Sequence, residues 1–199
     1  ATRYDIRGAV AVIFLARPHR RNAWTGRMHT EYRFLLDKAN KDRTVGAIVV
    51  SGEGDSFCVG GDSQALQGHS ARGSYDSGVS GDISVPGYGI DERFDATFAY
   101  HYGLDKPIIA AINGAAAGVG LALAAFADVR FSVPMAKLTT AHGKLNLPAE
   151  YGLSWILPRL VGLGRANDLL LTSRVFMSEE AEKIGFVNQI FSSEKLLHE

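Results

Sequence analysis

The chain has a single cysteine, Cys58, in 199 residues, so no internal disulfide can brace it. No Cys/His spacing resembles a zinc site, and no metal is expected. Net charge is absent too: Lys+Arg and Asp+Glu each number 21. No overall field draws this chain to nucleic acid or an acidic membrane, and a polyanionic ligand has to be gripped locally. Residues Ala1–Gly8 mix Arg3, Asp5 and Arg7 with apolar residues and hold no apolar run of the secretory kind. A reducing, cytoplasmic setting is the expectation.

Several chemical signatures are also missing. There is no G-x-x-x-x-G-K-[ST], no G-x-S-x-G and no H-E-x-x-H, which removes the local marks of NTP hydrolysis, the serine-hydrolase elbow and the zinc-protease helix. Gly114–Gly120 follows an apolar run but does not fit G-x-G-x-x-G, and no acidic ribose partner is evident, which argues against a dinucleotide. The longest uncharged stretch, Pro107–Ala127, is 21 residues and long enough for a bilayer. It reads better as three pieces: a β-rich run Ile108–Ile112, an Asn113-Gly114 turn, and a buried helix opened by Gly118-Val119-Gly120 and ending near Asp128.

What is present is 46% hydrophobic residues against 21% charged, enough for one globular domain over 1–199. Apolar runs predict strands at Val10–Ala16, Gly46–Ser51, Val129–Val133 and Val187–Phe191. Helical spacing of Met28, Tyr32, Leu35, Leu36 and Ala39 predicts an amphipathic helix, and Ile90, Phe94, Phe98 and Tyr102 predict another. Further helices are expected near Leu153–Leu160, Arg165–Thr172 and Glu179–Ile184, the last with Ser178 as N-cap. Alternation of this kind predicts an α/β domain with largely parallel pairing. Gln67–Gly89, rich in Gly, Ser and Asp, reads as a long loop that is either functional or mobile, and is expected to be poorly ordered without ligand.

Two glycine-marked segments sit where open α/β sheets place ligands, at the carboxyl ends of strands: Ser56–Asp62 and Asn113–Gly120. Glycine lets main-chain N–H groups approach a ligand closely, and two such donors converging on one point make an oxyanion hole. Gly-rich turns are also common as plain structure, so the spacing alone leaves both readings open.

Four segments in register carry a resemblance. They are Arg17-Pro18-His19-Arg20-Arg21-Asn22-Ala23, Phe57-Cys58-Val59-Gly60-Gly61-Asp62, Lys106–Gly114 continuing to Ala127-Asp128, and Leu157-Pro158-Arg159-Leu160-Val161-Gly162. From about Val10 to Phe191 the sequence resembles the enoyl-CoA hydratase/isomerase (crotonase) superfamily. The resemblance implies a spiral of repeated β-β-α units, an acyl-CoA substrate, no cofactor beyond the coenzyme A of that substrate, and a homotrimer or hexamer. It implies two main-chain donors for the thioester oxygen, Gly61 and Val119, the latter where the family usually has glycine. It places Arg21, Ala23, Val59, Asp62 and Gly118 beside the substrate, and Arg17, His19, Arg20 and Arg21 near the coenzyme A phosphates. The basic cluster also reads as a solvated turn, and without interleaved aromatics it is thin support for RNA binding.

The two glutamates of family hydratases fall here at Ala122 and His142, so the usual two-carboxylate hydration is not expected. Glu150 matches a position where some relatives carry a proton-transferring or nucleophilic carboxylate; its plainer role is to favour the helix starting near Gly152. Glu150 and His142 are the expected acid/base groups, with Asp95 a weaker third. The implied activity is double-bond isomerisation or hydration by an unusual residue set. The alternatives are a hydrolase or dehalogenase with Glu150 as nucleophile or base, and a non-catalytic CoA- or RNA-binding scaffold. Family members continue into further C-terminal helices, so that part is expected to be short or missing here, with a helix only starting after Ser193.

Overall fold

The computed structural model describes residues 1–72, 94, 98–149 and 151–198. Strand β1 (Thr2–Arg7) pairs antiparallel with β2 (Val10–Leu15). Helix α1 (Gly26–Lys41) follows, its N-cap Thr25 accepting the Met28 N–H at 3.1 Å through its hydroxyl. Its expected stripe is its buried face: Met28, Tyr32, Leu36 and Ala39 are wholly enclosed.

From there the chain repeats one motif. Strands β3 (Ala47–Gly52) and β4 (Ser56–Cys58) lead to α2 (Ser63–Arg72), and β5 (Ile108–Ile112) and β6 (Ala115–Ala117) lead to α3 (Val119–Ala125). Strands β7 (Val129–Ser132) and β8 (Lys137–Thr139) lead, after an irregular turn, to α4 (Leu153–Val161) and α5 (Leu163–Thr172). The chain then runs through β9 (Phe176–Met177), α6 (Ser178–Lys183) and β10 (Gln189–Ile190).

The first strand of each unit enters a six-stranded sheet of order β1-β2-β3-β5-β7-β10, and the second enters a four-stranded sheet of order β4-β6-β8-β9. All pairings from β2 through β10 in the larger sheet are parallel. This is the β-β-α spiral expected from the sequence. Two glycines show how tightly successive turns stack. A Cβ on Gly114 would lie 2.0 Å from the Asp55 carbonyl oxygen, and one on Gly120 2.1 Å from that of Cys58. No side chain fits at either place.

Some expectations are corrected. Of the loop expected over Gln67–Gly89, residues 67–72 continue α2 instead; the remainder lies outside the described residues. The helix expected over Ile90–Tyr102 is not one at its described end. Phe98 is left-handed (φ 55°) and Ala99–Gly103 is a 3-10 turn. Packing overrides periodicity there: Phe98 is fully buried, with ring centroids of Trp24 at 5.6 Å, Tyr151 at 5.8 Å and Phe126 at 6.4 Å.

Ser178 is the first residue of α6 and not its N-cap. Its hydroxyl accepts the Ala136 N–H at 3.1 Å instead. After Ser192 there is a hydrogen-bonded turn, with Leu196 N–H donating to the Ser192 carbonyl, and not a helix. The strand expected over Val187–Phe191 shrinks to β10, because Val187 turns into the core.

Candidate active site

The site forms where three successive units end. After β4 the chain passes Gly60 (φ 112°) and makes a single parallel bridge between Gly61 and Trp24. Trp24 N–H donates to the Gly60 carbonyl and Asp62 N–H donates to the Trp24 carbonyl, both at 2.8 Å. Parallel pairing uses the residues flanking Gly61 on that edge, so the N–H of Gly61 itself faces the opposite side.

The next unit supplies the second bend. Gly118 adopts φ 51°, ψ −118°, which only glycine reaches without strain, and its N–H donates to the Thr139 carbonyl at 3.1 Å. Val119 is the first residue of α3, so its N–H has no partner within the helix. Among the described residues, neither Gly61 N–H nor Val119 N–H donates to any protein acceptor. The two bends touch: a Cβ on Gly118 would lie 4.0 Å from the Gly60 Cα.

The third unit brings His142. Thr139 and Thr140 lead into a left-handed Ala141 (φ 63°), which turns His142 into the start of a 3-10 turn. Thr140 Oγ1 donates to the Leu169 carbonyl at 2.8 Å, and Gly143 N–H donates to Ser173 Oγ at 2.9 Å. The three segments enclose a cavity of about 340 Å³ whose wall includes Val59, Gly61, Gly118, Val119, His142 and Tyr151. Val119, 3% exposed, is part of that wall. Ala122, expected from the sequence at one of the two hydratase glutamate positions, is buried in α3.

Of the site residues expected from the sequence, Val59, Gly61, Gly118, Val119 and His142 come together. Glu150 and Asp95 lie outside the described residues. Asp62 has other work: its Oδ1 accepts the N–H groups of Gln64 and Ala65 at the start of α2, and its Oδ2 accepts from Arg17 Nη2 at 2.9 Å. Burial pushes its carboxyl up, but the Arg17 bond and the two main-chain bonds outweigh this and its pKa is lowered. Its carboxylate thus anchors the start of α2 to Arg17.

Arg17 is likewise tied inward, donating to the Ala23 carbonyl at 2.6 Å. Ala23 is buried and does not line the cavity, and neither does Arg21, which is exposed. Buried Asn22 holds that basic turn against β4 by donating to the Glu53 and Ser56 carbonyls at 2.9 and 2.7 Å. Sequence reasoning passed over Tyr151, Thr140 and Ser173. Tyr151 had one signal, its place beside Glu150; the two hydroxyls had none.

Two mainly parallel sheets wound into a β-β-α spiral, with glycine bends of successive units meeting at one cavity, define a crotonase-type fold. The enoyl-CoA hydratase/isomerase family profile matches residues 5–199. The chain is 30% identical over 187 residues to 1,2-epoxyphenylacetyl-CoA isomerase of Escherichia coli K12, covering 94% of this chain and 68% of that one. It is 33% identical over 191 residues to crotonyl-CoA hydratase of Syntrophomonas wolfei, covering 96% and 68%. The crystal structure of an enoyl-CoA hydratase from Bacillus anthracis superposes with a TM-score of 0.84 at 26% identity, over 99% of this chain and 72% of that one. The chain belongs to the enoyl-CoA hydratase/isomerase family.

Proposed function

We propose that this chain binds an acyl-CoA thioester and catalyses proton transfer at its α-carbon, with the thioester oxygen held by the N–H groups of Gly61 and Val119. The observation that carries the reading is that these two donors, neither of which has a protein acceptor among the described residues, open on one cavity with His142. A carbonyl oxygen between them gains negative charge as the α-proton leaves, and fixed donors stabilise that enolate without reorganising. Return of a proton at the γ-carbon completes double-bond isomerisation; addition of water at the β-carbon followed by α-protonation completes hydration.

The proton carriers in this reading are Glu150, one residue from the cavity-lining Tyr151, and His142 in the cavity wall. With Ala122 and His142 at the two positions where the resembling hydratases have glutamates, isomerisation by a single carboxylate is favoured over two-carboxylate hydration. Exposed His19 and Arg21, with Arg20 half-buried, are the groups offered to the phosphates of the coenzyme A portion.

The test reads enolate formation directly. Butanoyl-CoA, incubated in D₂O with the protein, should gain deuterium at its α-carbon by mass spectrometry, and a 3-enoyl-CoA should convert to its 2-enoyl isomer. Glu150→Gln should slow both at least about a hundredfold. Absence of both exchange and isomerisation, or rates indifferent to Glu150→Gln, overturns the reading.

A further inference from the structure

A second cavity, of about 510 Å³, shares Tyr151 with the first, this residue forming part of both walls. Among the described residues, five of the seven that line it are aromatic: Phe94, Tyr102, Phe126, Tyr151 and Trp155. The other two, Ala99 and Gly152, are small, and none of these described lining residues carries a charge. Tyr151 is in a left-handed conformation (φ 56°), followed by a left-handed Gly152 (φ 73°). A Cβ on Gly152 would meet the Phe126 ring at 2.9 Å, so the main chain passes close under the aromatic floor.

The ring planes are set at differing angles. Phe126 and Trp155 are near parallel, at 14° with centroids 6.4 Å apart, while Tyr102 is tilted 54° to Phe126 and 68° to Trp155. The cavity therefore offers both faces and edges of rings. Arg159 lies over the Trp155 ring at 4.1 Å and donates to the Trp155 carbonyl at 2.7 Å. Yet Trp155 is 49% exposed and Tyr102 41%, so two large rings of this wall are left partly uncovered.

We infer that this cavity takes the aryl end of an acyl-CoA whose thioester occupies the Gly61–Val119 cavity, making the chain selective for aryl-substituted acyl groups. An alkyl tail gains only burial from any apolar wall. A planar ring also gains from offset and edge-to-face contacts, which depend on ring orientation and which this wall supplies. Room is sufficient, since a cavity of roughly 150 Å³ already holds benzene. The link is Tyr151, shared by the site of the chemistry and the aromatic cavity. This inference rests on the thioester reading above and narrows its substrate.

The test compares α-proton exchange of 3-phenylpropanoyl-CoA with that of butanoyl-CoA and hexanoyl-CoA, whose α-protons are similarly acidic. At least a tenfold higher kcat/KM for the phenyl substrate is expected, and Trp155→Ala and Tyr102→Leu should each reduce that ratio toward one. Binding is read independently by fluorescence. The chain has two tryptophans, and half-exposed Trp155 should blue-shift with 3-phenylpropanoyl-CoA but not with butanoyl-CoA, a response absent in Trp155→Phe. Exchange of all three thioesters at equal rates, with no selective shift, overturns the aryl assignment and leaves the thioester reading standing. No exchange with any of them overturns the thioester reading, and the fluorescence comparison then still decides whether the cavity prefers the ring.

Discussion

Ser173 Oγ, at the end of α5, accepts the main-chain N–H of Gly143 at 2.9 Å and so ties down the residue next to His142. Ser173 is fully buried, and the Thr140 hydroxyl lies 3.1 Å from its own. A polar turn that would otherwise be free to swing is thus held by hydroxyls of helix and turn. Ser173→Ala removes the acceptor of the Gly143 N–H, a part-buried hydrogen bond whose loss costs about 0.5–1.5 kcal/mol. Urea denaturation should report that loss, and α-proton exchange should fall with it. Leu171→Ala, at a side chain 82% exposed on the same helix, should change stability by no more than about 0.5 kcal/mol.

Val119 permits a test of a single main-chain donor. As the first residue of α3 it occupies the one helical position where proline is readily accepted, because the N–H that proline lacks has no helical partner there. Val119→Pro keeps an apolar side chain of similar size and deletes the N–H. The expected outcome is a fall of about a hundredfold to a thousandfold in α-proton exchange, with an unfolding midpoint close to that of the parent. A fall in stability without a fall in exchange counts against Val119 as an oxyanion donor.

The sequence shows the larger sheet more clearly than the smaller one. Val10–Leu15, Ala47–Gly52, Ile108–Ile112 and Val129–Ser132 are four to six residues long, and their apolar runs declare them buried strands. Strands β4, β6 and β8 have three residues each. Too short to show a period, they exist because each unit lays its second strand beside that of the previous one. The two glycine bends were visible as candidates, but their meeting at one cavity came through the family resemblance, since pairing between units is not written locally. Ser173 and Thr140 carry no pattern at all: a buried hydroxyl looks like any surface serine or threonine until the fold encloses it. Phe98 shows the reverse, a regular helical spacing overridden by one ring's place among Trp24, Phe126 and Tyr151.

Acid should weaken the fold well before carboxylates protonate. His101 is buried; its Nδ1 donates to the Phe126 carbonyl at 3.2 Å, so its Nε2 accepts from the Tyr32 hydroxyl at 3.0 Å. Burial lowers its pKa to about 4, and burial with the nearby Arg33 charge lowers that of His29 to about 4 as well. Unfolded histidines titrate near 6.5. Below that pH the unfolded chain binds protons that the folded chain refuses, so stability is full above about pH 6.5 and declines as pH falls toward 4. About 2.5 pH units at 1.36 kcal/mol each gives a loss of up to about 3 kcal/mol per histidine. Urea midpoints measured from pH 7 to 4.5 should fall steadily, and His101→Gln should flatten the slope. A flat profile for the parent protein would contradict the buried neutral imidazole.

Cys58 supplies a built-in reporter of opening. It lies in β4 with no exposed surface, and burial pushes its thiol up to about 12, so at neutral pH it is neither ionised nor reachable. Thiolate is the reactive form, and a buried thiol of this kind is inert. The backbone beside it is sealed as well, since α3 packs so closely that a Cβ on Gly120 would lie 2.7 Å from the Cys58 side chain. In native buffer a disulfide-exchange reagent should therefore label Cys58 only through transient opening of the β4–α3 contact, at a rate far below that of the same thiol in urea. Gly120→Ala forces that contact apart and should raise native labelling sharply, whereas Leu171→Ala should leave it unchanged. Prompt labelling of the parent protein would mean that β4 is not enclosed, and with it the seat of the Gly61 donor.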